Sequence, residues 1–497
     1  MKLTVANILA GVELLNYELS TEGRLVRVGL KDEQQTAAIL QKFDWLCGRE
    51  PLEFIRDERD GAADADTREW RDRLYYALVE LYLYRQVAPL SDHLQTALAK
   101  KEVAGIPYYN LAPRLQNEPD FDRREQLGEM IDAVHVEFNP QKLELLRREI
   151  DILKVDLGQP SYRDYCRQKK QFKYPALEAG LRESLARTEP VYRRHIARWT
   201  DRKVGRPFGA LNRYHASYLL RLNDFDAHFP KDALVERLTA ALRHLGIDLA
   251  QAPNIHLDLE NRPKKTPRAF CSAPKIPAEV WLVIKPAGGL NDYETFLHEA
   301  GHALHFGCSR ADLPYEYRHL ARSYALSEIY SFLLQNLVQD VGWLRAVARV
   351  DEAAARQIRY EKILSDLFMY RRYVAKFLAE WEFFQQPDLG NGEIYARTLT
   401  AATGFVYRPT NYLFDMDSEF YSADYLRAWL GEAQLREYLQ QQYGPTWWSN
   451  AAAGKFLVGL WHQAGQPDAE TVIAQLGVQP LDPAALERRV AELEALN

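Results

Sequence analysis

Cysteine is scarce in this chain. There are four in 497 residues (Cys47, Cys166, Cys271 and Cys308), and no pair has CxxC spacing. That excludes a disulfide framework and fits a reducing, cytoplasmic setting. Long hydrophobic runs are also missing. Phe456–Trp461 is typical of the longest, far short of the ~18 residues a membrane helix needs. The N-terminal stretch is a weak mimic of a signal peptide. Asn7 breaks its apolar part, Glu13 closes it, and it reads as mature protein. No concentrated Lys/Arg block exists, and 63 Lys+Arg stand against 69 Asp+Glu for a net charge of −6. This balance argues against nucleic-acid partners and against an anionic membrane surface. Internal repeats and low-complexity segments are absent.

What remains is ordinary globular composition, 47% hydrophobic and 27% charged. The length allows several domains, or one large helical body with two lobes. Aromatics are abundant, with 28 Tyr and 10 Trp. Such a load implies large helices packed on aromatic cores. Helical spacing of apolar residues is clear over Arg68–Gln86, Lys142–Val155 and Asp232–Leu245. Pro and Gly mark turns at 156–160 and 203–209. The period changes at 254–286. Asn254–Glu260, Arg268–Ser272 and Glu279–Lys285 read as three short strands joined by Pro/Asn/Lys loops. The expected architecture is mainly α and two-lobed, with a helical lobe over 1–200 and a catalytic lobe over 201–497. A small antiparallel sheet is expected inside the second lobe.

Directly after the strands comes a helical run, Asn291 to Gly307. Asn291 or Asp292 can cap it, Glu294 can complete a capping box, and Gly307 suits its end. It carries His298-Glu299-x-x-His302. Residues i and i+4 share one helix face, so two imidazoles can reach one ion. Glu299 can then touch a water on that ion without binding the ion. The pattern arises by chance in roughly one chain in fifty of this length and His content. Three histidines on one stripe of a capped, apolar-backed helix set it apart from surface decoration. His305 lies too far along the helix, ~10.5 Å from His298, to share the ion. It reads as a substrate-side or supporting group. A third ligand is needed, and two carboxylates downstream are available. Glu316 sits in a Pro-led loop. Glu328 sits in the apolar helical run Arg322–Leu334, where a carboxylate is costly unless paired or metal-bound, which favours it. Further on, Tyr407–Tyr412 and Asp415–Trp429 gather Arg408, Tyr412, Tyr421 and Tyr425. Tyr421 and Tyr425 share a helix face, and phenols are suitable donors to an oxyanion.

These residues resemble the M3 family of metallopeptidases, the gluzincins that include thimet oligopeptidase and oligoendopeptidase F. His298, Glu299, Gly301, His302 and His305 match its HExGHxxH pattern. Ser327–Ser331 looks like the family segment that supplies the third ligand, which places that ligand on Glu328. Asp258–Phe270 and Tyr421–Tyr425 are similar to two further family segments. The likeness is convincing over about 254–430 and only general before it. Four positions depart from the pattern: Met416 replaces a His, Ala428 a Tyr, Ala325 an acidic residue and Arg268 a Gly. The M32 carboxypeptidases are nearer in length, but their third-ligand segment is not present.

The resemblance implies one zinc ion per chain on His298, His302 and Glu328, with Glu299 as general base. It also implies Tyr421 and Tyr425 as oxyanion donors; His305, Tyr412 and Arg408 are expected, apart from the resemblance, as substrate contacts. Short unstructured peptides are the expected substrates, and a monomer or small homo-oligomer the expected state. The strand Glu279–Lys285 is expected to pair with the peptide backbone along its edge. Two other readings share the same residues: an impaired M3-like protein that binds peptides without cutting them, and a zinc hydrolase of non-peptide amides.

Overall fold

The computed structural model describes residues 3–496. The chain is mainly helical and forms two compact units, each drawn from three stretches of sequence. The first contains the chain up to Arg85, Asp226–Ala355 and Gly431–Pro480. The second contains Gln86–Phe225, Arg356–Leu430 and Leu481 onward. A single cut near residue 200 therefore does not coincide with the units. No helix of the described residues is long and apolar enough to cross a membrane.

The first unit is organised around a three-stranded sheet. Its strands are β1 (Ile255–Asp258), β2 (Phe270–Lys275) and β3 (Glu279–Val283), in the order β1-β3-β2. The expected antiparallel pairing is present between β2 and β3, with Phe270 opposite Val283 and Ser272 opposite Trp281. β1 instead joins β3 in parallel, Ile255 opposite Val280, so the sheet is mixed. Central β3 is buried at Val280, Leu282 and Val283. It is hydrogen-bonded on both sides, which leaves it no open edge for a peptide.

The loop between β1 and β2 is tied down by a buried cation. Lys265 Nζ donates to Asp258 Oδ1 at 2.8 Å, to the Asp258 carbonyl at 2.7 Å and to the Ile284 carbonyl at 2.9 Å. A buried ammonium is tolerated when it is paired and fully hydrogen-bonded in this way. Helix α1 (Val5–Arg27) lies against β2 and buries Ile8, Val12 and Leu15. Its last turn sets the Arg27 guanidinium over the Phe270 ring at 3.5 Å.

Helix α2 (Leu290–Gly307) carries the histidine motif and packs on β2 and β3. Its cap differs from the expected one. Gly289 is the N-cap, with φ 95°, a region only glycine enters at low cost. The Leu290 N–H donates to Asp226 Oδ1 at 3.0 Å. Asp292 accepts from the Ala287 and Gly288 N–H groups and so fixes the loop before the helix. Helix α3 (Ala325–Gln335) is buried from Ala325 through Leu334, the polar Ser327, Glu328 and Ser331 included. α2 and α3 approach closely at Gly301. A Cβ there would lie 2.5 Å from Ser331 Cα and 2.6 Å from the Tyr330 carbonyl oxygen.

The second unit is built from long helices, including Phe121–Asp151 and Tyr174–Val204. Its aromatic load is packed in the core. Tyr162, Tyr174, Phe377 and Trp381 surround Phe420 with ring centroids 5.2 to 6.3 Å from it, the spacing of favourable aromatic pairs.

Candidate metal centre

The helical spacing of His298 and His302 puts both imidazoles on one face of α2, 5.0 Å apart between ring centroids. The close approach of α3 brings Glu328 to the same point. His298 Nε2 lies 3.5 Å from Glu328 Oε2, and His302 Nε2 lies 3.8 Å from Glu328 Oε1. One ligand atom from each of the three falls within 4.8 Å of the others, the one such cluster among the described residues. Glu316 is buried on the short helix Tyr315–His319 and is not part of it.

The donor set fits a metal ion. His298 Nδ1 bonds Gln335 Oε1 at 2.7 Å, and Gln335 Nε2 donates to Glu294 Oε1 at 2.9 Å. The carboxylate accepts from the amide nitrogen, so the amide oxygen must face His298. His298 therefore carries its proton on Nδ1 and keeps the Nε2 lone pair for a ligand role. His302 Nδ1 meets Ser327 Oγ at 2.7 Å, which also turns its Nε2 toward Glu328. Burial holds the His298 imidazole down to about 4 and His302 well below its ordinary value. Both rings are neutral at pH 7, as metal ligands must be. The imidazoles keep 17% and 15% of their side-chain surface exposed against 4% for Glu328. Access is thus from the histidine side.

Glu299 points off the same helix toward β2. Its Oε2 accepts the Cys271 N–H at 2.7 Å. Burial raises its carboxyl to about 7, against the pull of that N–H and of Arg268 and Arg27. A carboxyl poised near neutrality can both accept and return a proton.

The other candidates are placed as follows. His305 is 4% exposed, its Nε2 bonds the Ala464 carbonyl at 3.3 Å, and its ring meets the Tyr330 ring edge-on at 4.9 Å. Buried in this way it packs α2 against its neighbours, and the expectation of a substrate contact is corrected. Tyr412, Arg408, Tyr421 and Tyr425 belong to the second unit. Tyr412 is buried with its hydroxyl on the Leu389 carbonyl at 3.0 Å, which leaves it no open face toward a substrate. Arg408 pairs with Asp132 at 2.6 Å. Tyr421 and Tyr425 stack edge to face at 4.8 Å, and Tyr425 also meets Tyr373. Gln335, Ser327 and Cys271 were not singled out in the sequence. Gln335 carried a faint signal, seven residues after Glu328 on the same helical stripe.

No protein-family model matches the chain, and no curated protein matches it. Solved structures do match, at the level of fold. PZ peptidase A bound to an inhibitor is 14% identical with a TM-score of 0.66, covering 100% of this chain and 97% of that one. A candidate oligoendopeptidase F is 14% identical with a TM-score of 0.67, again over 100% and 97%. Pyrococcus furiosus carboxypeptidase in its Apo-Mg form is 12% identical with a TM-score of 0.64, over 99% of both chains. The fold is that of the M3-like oligoendopeptidases, as the sequence resemblance implied. Within it stands a His-His-Glu cluster able to hold a metal ion.

Proposed function

We propose that the chain is a zinc-dependent peptidase that hydrolyses short unstructured peptides. The carrying observation is the His298, His302 and Glu328 cluster together with Glu299, a buried carboxyl on the same helix held by the Cys271 N–H. His298, His302 and Glu328 would hold the ion and leave one position open, the composition of a catalytic zinc site. Zinc, when bound, supplies Lewis-acid polarisation and a water acidic enough to react at neutral pH.

This chain's residues then divide the remaining work. Gln335 and Ser327 orient the two imidazoles. Glu299 takes a proton from the attacking water and returns it to the leaving amine, its carboxylate steadied by the Cys271 N–H. β2 is an outer strand whose Cys271 N–H turns away from β3 toward Glu299. An extended peptide added to that edge would run beside the base. Tyr421 and Tyr425 enter as oxyanion donors on the family resemblance alone. The peptidase names of the fold neighbours support peptide over other amide substrates.

The test is metal removal. Chelated protein should lose hydrolysis of a short fluorogenic peptide, and one equivalent of zinc should restore it. Unchanged hydrolysis by protein shown to be metal-free would reject the proposal.

A further inference from the structure

The second unit contains a cavity of about 250 Å³ that the peptidase reading does not use. It lies between the helices Tyr108–Asn117, Phe121–Asp151 and Arg213–Leu220, with Phe414 closing one side. Its walls carry the aromatic rings of Tyr108, Tyr109, Tyr214 and Phe414, with Gln116 and Ser217 as neutral polar groups. Its polar groups are unevenly matched. The lining residues include the Arg213 guanidinium but no aspartate or glutamate. Arg213 makes one side-chain hydrogen bond, Nη1 to the Tyr395 hydroxyl at 3.1 Å, and it forms no ion pair among the described residues. The Asp415 carboxylate attracts Arg213 without pairing with it, its oxygens being bonded to Arg372 and to the Tyr395 hydroxyl.

A second donor follows from a chain of hydrogen bonds. Asn411 Nδ2 donates to Asp132 Oδ1 at 2.6 Å and lies 3.0 Å from His135 Nδ1. That amide nitrogen is a donor, so His135 accepts at Nδ1 and carries its proton on Nε2. Burial keeps this imidazole neutral, with its pKa lowered to about 3. His135 Nε2–H then donates to the Tyr108 hydroxyl at 3.1 Å. The Tyr108 oxygen is thereby an acceptor from His135, and its own proton is left to give. The phenol is pushed up to about 12 and keeps that proton. The cavity therefore offers a guanidinium and a phenolic O–H with no carboxylate among its lining residues.

We propose that this cavity binds the carboxylate of a ligand with an aromatic body, of the kind presented by the C-terminal residue of a peptide. The volume suits a body of one large amino-acid side chain and is below that of a drug-sized site. The absence of any carboxylate in the lining sets the form of the ligand. A free amino acid would bring an ammonium with no partner beside Arg213, whereas an acylated nitrogen carries no charge. The inference stands on the second unit alone and is independent of what the metal cluster does.

Calorimetric titration of the full chain tests it with N-acetyl-L-phenylalanine, its C-terminal amide and free L-phenylalanine. The acid should bind, with the amide and the free amino acid at least ~10-fold weaker. Arg213→Gln should abolish binding. Arg213 also packs on the Tyr214 and Tyr407 rings, so its loss could disturb folding. Ala112→Trp is the second variant. Ala112 is an exposed lining residue, and an indole there would close the cavity and abolish binding without touching that packing. Glu328→Ala should bind the acid as wild type does. Equal affinity for acid and amide would overturn the carboxylate assignment, and equal affinity for free phenylalanine would overturn the peptide-terminus assignment. Binding that survives Ala112→Trp and is lost in Glu328→Ala would place the ligand at the metal cluster and overturn the site itself. So would the absence of any heat from the acid.

Discussion

Gly301→Ala is the sharpest probe of how the cluster is assembled. Helix propensity alone favours the change by about 0.5–1 kcal/mol. The packing opposes it. The new Cβ would sit 2.5 Å from Ser331 Cα and 2.6 Å from the Tyr330 carbonyl. Both are backbone atoms of α3 and cannot rotate away. Ordinary contact is 3.4–4 Å, so α2 and α3 must separate by roughly 1 Å, and overpacking of this kind costs about 1–3 kcal/mol. Overpacking wins, and the apo protein should lose about 1 kcal/mol. The larger effect falls on the metal. His302 is the next residue on α2, and Glu328 lies three residues before Ser331 on α3. The 3.5 and 3.8 Å gaps between imidazoles and carboxylate would widen together. Ligand distances tolerate only about ±0.2 Å, so zinc affinity should fall at least ~10-fold, the scale seen when a ligand's support is disturbed. The assay is competition with a chromophoric chelator beside thermal unfolding of the apo form. Gly307→Ala, on the same helix, is the control. Its Cβ meets side chains rather than backbone, Ile255 at 2.6 Å and Asn254 at 3.5 Å, and neither belongs to α3, so metal affinity should hold. A Gly301→Ala protein with unchanged zinc affinity and stability would refute the claim that this contact sets the site.

Three other outcomes are expected. Gln335→Leu removes the group that fixes the His298 tautomer, and chelator competition should show zinc affinity down about 10–100-fold. Glu328→Ala removes a ligand rather than its support and should weaken zinc more than Gln335→Leu in the same assay; tight retention would return Glu316 to consideration. His135 has its folded pKa lowered to about 3 by burial, below the unfolded value of ~6.5. The unfolded state then takes up the proton first, so His135's contribution is complete above about pH 6.5 and is lost as pH falls toward 3. Between pH 6.5 and 5 the loss is about 1.5 kcal/mol, and urea titrations of His135→Gln should show a flatter decline over that range.

The metal helix was readable because its information is local. Two histidines four apart define a shared face whatever surrounds them. The strands were found to within three residues for the same reason, since alternation is a property of neighbours. Sheet order was not readable. β1 and β3 pair in parallel across an intervening strand, and no local signal encodes that. The cap of α2 was misplaced because its acceptor is Asp226, 64 residues upstream, while Asp292 serves the preceding loop. Lys142–Val155 was read as a helix from its apolar spacing, and it proves to be mostly the last part of a longer helix, Phe121–Asp151, with Pro140 inside it. His305 was assigned by its stripe, and only the packing of Ala464 and Tyr330 shows it to be enclosed.

The central claim is that Glu299 acts as the base of a metal-dependent peptidase. A pool of diverse short peptides, incubated with zinc-loaded wild type and with Glu299→Gln, tests it most directly, with cleavage read by mass spectrometry and zinc content measured on both proteins. One zinc per chain is expected in each, with cleavage by wild type and turnover by Glu299→Gln lower by at least ~10²-fold. Comparable cleavage by both proteins at equal zinc, or no cleavage by zinc-loaded wild type, would contradict it.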